Sequence, residues 1–143
     1  MATYLHRLSG PLMDRLDLQV GVPALNFSEL AAPPSSESSE TVRTRVNAAR
    51  QRQARRLKSR SSGLHCNAQM GPREIREHCA VDADGQGLLK AAVDRLGLSA
   101  RGFDRLLKVA RTIADLDGVP GILVRHLAEA IQYRSLERQS VAA

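Results

Sequence analysis

Eight basic residues and no acid stand between positions 43 and 60. Arginine at that density suits phosphate chemistry, because a planar, permanently charged fork grips phosphate oxygens and binds them in a salt-dependent, sequence-independent way. Arg50, Arg52, Arg55 and Arg56 are the candidate nucleic-acid contacts. They point all round a helix rather than along one stripe, so a dedicated reader of a DNA groove is not expected. A solvated helix packing through its valines and an intersubunit contact to an acidic surface stay open beside phosphate binding. Arg101, Arg105 and Lys108 make a second basic set at i, i+4 and i+7, on pattern alone the solvated face opposite Phe103 and Leu107. Arg15 sits between a short Gly-Pro-Leu-Met turn and an apolar run; on spacing alone it is an arginine in a surface ion pair. The pairs His65-Cys66 and His78-Cys79 offer four nitrogen or sulfur ligands, the number a tetrahedral zinc site uses. Adjacent residues rarely aim at one point and no C-x-x-C knuckle is present, so two buried or half-buried thiols are expected and no metal is assigned. The chain has no G-x-x-x-x-G-K-[ST], no G-x-S-x-G and no H-E-x-x-H, and Lys58, Lys90 and Lys108 all lack a glycine-rich context.

The elements that must position these residues are mainly helical. Leu18, Val20 and Val22 alternate with polar or small residues, the period of a half-buried strand, which Pro23 ends. A single strand needs neighbours for its backbone groups, and no other convincing strand occurs, so this chain reads as starting inside a larger fold. After the polar linker Ala-Ala-Pro-Pro-Ser-Ser-Glu-Ser-Ser-Glu, serines and acids near 38–40 supply an N-cap and first turn. Arginines gather toward the other end, as the helix dipole favours. Val42, Val46, Ala49 and Leu57 give this basic helix a narrow apolar stripe, so it is weakly anchored and mostly solvated, and 59–63 breaks it. From residue 64 a compact helical bundle is expected. Pro72 opens a short helix to about Ala80. Asp82 or Asp84 caps the next, with Leu88, Leu89, Ala92, Val93 and Leu96 inward and Gly97 closing it. Ser99 caps the strongest helix, with Phe103, Leu106, Leu107, Ala110, Ile113 and Ala114 at 3–4 spacing and Asp117-Gly118 as its stop. The last helix runs from about Val124 to Leu136, with Val124, Leu127, Ala128 and Ile131 inward.

Composition narrows the classes. The 143 residues carry a net charge of +6, but residues 1–42 sum to −3 and residues 61–143 to +1, so the whole excess belongs to the arginine helix. No long apolar run is present and the N-terminus has no hydrophobic signal region, so neither a membrane nor secretion is expected. Two cysteines without a signal suit a reducing, cytoplasmic setting. Four aromatic residues and no Trp argue against a stacking platform for single strands.

Six segments carry a resemblance, in order and with the right spacing over nearly the full chain. They are Leu-Ser-Gly-Pro-Leu-Met-Asp-Arg-Leu-Asp at 8–17, Arg-Val-Asn-Ala-Ala-Arg-Gln-Arg-Gln at 45–53, Cys-Asn-Ala-Gln-Met at 66–70, Leu-Gly-Leu-Ser-Ala-Arg-Gly-Phe-Asp-Arg at 96–105, Val-Ala-Arg-Thr-Ile-Ala-Asp-Leu at 109–116 and Ala-Ile-Gln-Tyr-Arg at 130–134. Together they resemble the C-terminal portion of the magnesium-chelatase-like AAA+ ATPases, in their competence-associated ComM/YifB branch. Met13 and Gly21 depart from the leucine and the acid usual there without disturbing the pattern. The resemblance implies that 1–30 is the incomplete end of the AAA+ α/β core, 31–63 a linker and basic helix, and 64–143 the helical lid. The strand at 18–22 would then be the last of a parallel sheet, whose phosphate-binding loop and Mg-binding acidic strand precede residue 1.

The same resemblance implies roles. Arg15 matches the arginine finger, which reaches the γ-phosphate bound by a neighbouring subunit. Arg101 matches the sensor-2 arginine that touches nucleotide in its own subunit, and Arg105, one turn on, is a weaker match. ATP and Mg are the cofactors of the complete protein and a homo-oligomeric ring its assembly, with DNA remodelling in recombination as the context of the branch. This chain alone is expected neither to bind ATP tightly nor to hydrolyse it. The rival expectation is a small basic helical module that binds nucleic acid through 43–60.

Overall fold

The computed structural model describes residues 12, 15–24, 26–27, 31, 37–58 and 63–134. The turn around Gly10 and Pro11, most of the linker, the break at 59–62 and any helix beyond 134 lie outside the described residues. Within them the elements are α1 (Ser39–Leu57), a 3₁₀ turn (Asn67–Gln69), α2 (Pro72–His78), α3 (Ala83–Leu96), α4 (Ala100–Leu116) and α5 (Val124–Gln132). The protein is mainly α, as its patterning requires.

Each long helix starts where a short polar side chain can take an orphan backbone donor. Ser38 Oγ accepts from the Thr41 N–H at 3.2 Å, Asp82 Oδ1 from Gly85 at 2.8 Å and Ser99 Oγ from Gly102 at 3.1 Å. Glu74 reaches back to the Gly71 N–H at 2.9 Å, which, with Pro72 in the first turn, starts the short α2. Gly97 closes α3 at φ 61°, in the left-handed region that favours glycine.

The core gathers on α4, which packs against α1, the 3₁₀ turn, α2 and α5, while α3 packs on α5. Leu106, Ala110, Ala114 and Leu127 are fully shielded, with Leu57, Met70, Ile75, Cys79, Leu89, Leu107 and Ile122 around them. Burying side chains of this size contributes about 1.5–3 kcal/mol each. α1 joins through its second half only: Ala49, Gln53 and Leu57 are buried at i, i+4 and i+8, whereas Val42 and Val46 stay exposed.

Two local expectations change. Residues 18–22 form no strand, and Leu18, Val20 and Val22 are exposed. No strand occurs among the described residues, so a ladder has nothing to pair with; the Gln19 N–H donates instead to the Tyr133 carbonyl at 2.9 Å. On α5, Val124 is exposed while His126, Leu127 and Ala130 are buried. The buried face is rotated because His126 turns inward with both ring nitrogens engaged. Nδ1 accepts from the Leu123 N–H at 2.9 Å, and Nε2 lies 3.1 Å from Asp117 Oδ2. That contact, and the one from Arg125, hold the Asp117 carboxyl below its ordinary pKa.

Candidate functional site: the outward arginines and the buried cluster

Arginines divide here into those spent on the protein's own acceptors and those left facing solvent. Arg101 belongs to the second group. It is exposed in the first turn of α4, two residues after the Ser99 cap, where backbone N–H groups and the helix dipole favour an anion. Arg15 is exposed as well, its own N–H closing a turn onto the Leu12 carbonyl at 2.9 Å.

Arg105 is committed. Its Nη1 donates to the Arg15 carbonyl and, at 2.5 Å, to Asp17 Oδ1. Beside this contact lies a cleft of about 360 Å³, walled by Asp17, Leu18, Lys108, Val109 and Tyr133. That size is at the small end of ligand cavities. Its polar groups are already occupied: Lys108 Nζ donates to the Ala68 carbonyl at 3.0 Å and the Tyr133 hydroxyl to Glu129 at 3.1 Å.

The basic helix is divided too. Arg50 and Arg55 face solvent, but Arg52 and Arg56 turn into the bundle. Their target is Asp115 on α4, whose side chain is fully buried. Arg56 makes a two-pronged contact with both carboxylate oxygens, its Nη1 lying 3.0 Å from Oδ2, and Asn67 Nδ2 donates to Oδ2 at 2.8 Å. Arg111 Nη2 approaches Oδ1 at 3.2 Å, and Arg52 Nη1 donates to the Asp115 carbonyl at 3.1 Å. Gln53, buried on α1, accepts from the Asn67 N–H at 3.2 Å. Arg111 also donates to the Pro120 and Val119 carbonyls, at 2.7 and 2.9 Å. Burial lowers its pKa, and the neighbouring Asp115 carboxylate opposes that shift. This cluster pins α1 and the 3₁₀ turn to α4. Asp115 follows the apolar run of α4 four residues after Arg111, a spacing that hints at their pair; Arg56 and Asn67 come from far away in sequence.

The His-Cys pairs do not converge: among the described residues no three His, Cys, Asp or Glu side chains are grouped to hold a metal. Cys79 is buried and Cys66 half-buried. Burial pushes the Cys79 thiol up to about 11, which leaves on the order of 10²-fold less reactive thiolate than an ordinary cysteine has. Alkylation of the folded chain at about pH 8, followed by mass spectrometry, should modify Cys66 first and Cys79 only on unfolding. Equal labelling rates in the folded chain would contradict that placement. No helix among the described residues is long and apolar enough to cross a membrane.

Residues 36–134 match the family described as magnesium chelatase, subunit ChlI C-terminal, and residues 1–30 match magnesium chelatase, subunit ChlI. The chain is 44% identical over 136 residues to a protein named YifB from Salmonella typhimurium, covering 94% of this chain and 26% of that one. It is 40% identical over 136 residues to competence protein ComM of Haemophilus influenzae, with the same two shares. It is also 37% identical over 131 residues to a Mycobacterium tuberculosis protein, covering 92% and 25%. The chain thus spans about a quarter of the length of the curated relatives it matches.

Proposed function

From the premise that this chain belongs to the magnesium chelatase ChlI family, we propose that it is the lid-bearing C-terminal portion of a ComM-type AAA+ ATPase. In this reading the chain completes ATP sites and builds none alone. Residues 1–30 end the α/β core, 31–63 link, and 64–143 form the lid. Arg15 reaches, in trans, the terminal phosphate held by a neighbouring subunit of a homo-oligomeric ring. Arg101 touches nucleotide held by its own subunit. The ring works on DNA in the cytoplasm.

The observation that supports this reading is the division of the arginines. Arg52, Arg56, Arg105 and Arg111 spend their donors inside the protein, while Arg15 and Arg101 are exposed. A guanidinium at a helix N-terminus fits a polyphosphate, since the fork, the free N–H groups and the dipole all favour the same charge. ATP with its Mg supplies the transferable phosphoryl group and part of its charge neutralisation. The residues of this chain bind and orient: Arg101 holds phosphate oxygens in place, and Arg15 offsets charge that grows as the bond breaks. The nucleotide-binding portion of the complete protein provides the phosphate loop and the Mg ligands.

Arg101→Ala tests the lid role in rings where this chain completes a family member's nucleotide-binding portion. Losing one charge-assisted contact of about 1.5–3 kcal/mol lowers ATP affinity roughly 10–100-fold, measured by nucleotide titration. Arg101→Lys keeps part of it as a point charge. Unchanged affinity, or rings that are inert with the unaltered segment, would contradict the reading.

A further inference from the structure

Residues 15–19 are held by the bundle at several points. Arg105, from α4, donates one nitrogen to the Arg15 carbonyl and to the Asp17 carboxylate. Arg134, just beyond α5, donates to the Leu16 carbonyl at 3.3 Å, 118 residues earlier in the chain. The Gln19 N–H adds its bond to the Tyr133 carbonyl. Arg134 is 1% exposed, and burying a guanidinium is costly unless its donors are used. Two of these arginine contacts land on main-chain carbonyls. They fix the path of the backbone whatever the side chains at 15 and 16 are, and they leave the Arg15 side chain exposed.

We propose that Arg105 and Arg134 are positioning residues for Arg15: they strap the segment carrying it to α4 and to the end of α5, so that Arg15 and the lid move as one body. This rests on the reading of Arg15 as the arginine finger. It reassigns Arg105 from a nucleotide contact to an arginine that acts through another residue. A finger works only at the right place, and a misplacement of about 1 Å can cost on the order of 10²-fold in rate.

The test uses the assembled ring containing this chain, with ATP turnover, ATP KM and thermal unfolding measured for each variant. Arg105→Ala lowers kcat on the order of 10²-fold and leaves KM in place. Arg105→Lys, whose ammonium still reaches a carbonyl or the carboxylate, recovers part of the loss. The decisive readout is the double variant. Adding Arg105→Ala to Arg15→Ala slows turnover no further, because Arg105 acts only through Arg15. Asp17→Asn, at an exposed side chain outside the core, gives a second route: a smaller fall in kcat, again lost in the Arg15→Ala background. A raised KM at constant kcat, an unaffected kcat, or losses that multiply in the double variant would each overturn the strap. If Arg15→Ala alone leaves turnover intact, the finger reading fails and the strap fails with it. That result is read separately from a failure of Arg105→Ala beside an effective Arg15→Ala.

Discussion

Asp115→Ala should lower the folding stability of the chain by about 3–5 kcal/mol, the largest effect expected of any single substitution in the bundle. The carboxylate is fully buried and answers Arg56, Arg111 and Asn67 at once. Removing it leaves two guanidinium groups facing each other inside the protein with no anion between them. It also takes away one of the two acceptors of the Asn67 amide nitrogen, which keeps only its 3.1 Å bond to Thr112 Oγ1, at further cost. The loss is a large share of the 5–15 kcal/mol that holds a typical domain together. Asp115→Asn should recover only a minor part, because an amide keeps the shape but not the charge and turns a donor toward Arg56. Replacing Asp115, Arg56 and Arg111 together with apolar residues should cost much less than Asp115→Ala alone, since a buried pair contributes little net stability against a well-packed apolar substitute. Urea unfolding followed by circular dichroism measures all three. A loss under about 1 kcal/mol for Asp115→Ala would mean that water reaches the cluster or that Arg56 swings out to solvent.

Arg15→Ala should lower ATP turnover of the assembled ring by about 10³–10⁵-fold, the range arginine fingers supply in other nucleotide hydrolases. Nucleotide affinity should stay nearly intact, because the finger's contact strengthens as charge develops in the transition state and adds little to the ground state. Arg15→Lys should rescue poorly: an ammonium is a compact point charge and cannot span two phosphate oxygens as a planar fork does. Steady-state turnover and an equilibrium ATP titration on the same preparation separate these effects. A collapse of affinity would make Arg15 a ground-state ligand instead.

Features decided within a few residues were legible in the sequence. Ser38, Asp82 and Ser99 cap their helices because each cap bonds to a backbone N–H three residues on, and Gly97 ends α3 because the turn needs a positive φ. The apolar spacing of α4 gave its buried face for the same reason. Features that depend on distant partners were not legible. Nothing near Arg56 announces Asp115, 59 residues away, so a run of arginines reads as one solvated cationic surface although Arg52 and Arg56 turn inward. The apolar spacing put Val124, Leu127, Ala128 and Ile131 inward and left His126 out, yet a backbone N–H and a carboxylate let His126 go inside while Val124 lies at the surface. The alternation at 18–22 had the period of a strand, but a strand forms only with a neighbour to bond to. For the candidate site, pattern alone favoured bland readings of Arg15 and Arg101. Their exposure beside so many committed arginines became visible only once the elements were in place.

Whether Arg15 acts across a subunit boundary is tested most directly by mixing. Two inactive rings are prepared, one from chains carrying Arg15→Ala and one from chains whose phosphate-binding loop is disabled; they are dissociated and reassembled together. Neither ring alone should hydrolyse ATP and the mixture should, because a chain with an intact loop then meets an intact Arg15 from its neighbour. A mixture as inert as its two components, with mixed assembly verified by native mass spectrometry, would contradict a finger that acts in trans.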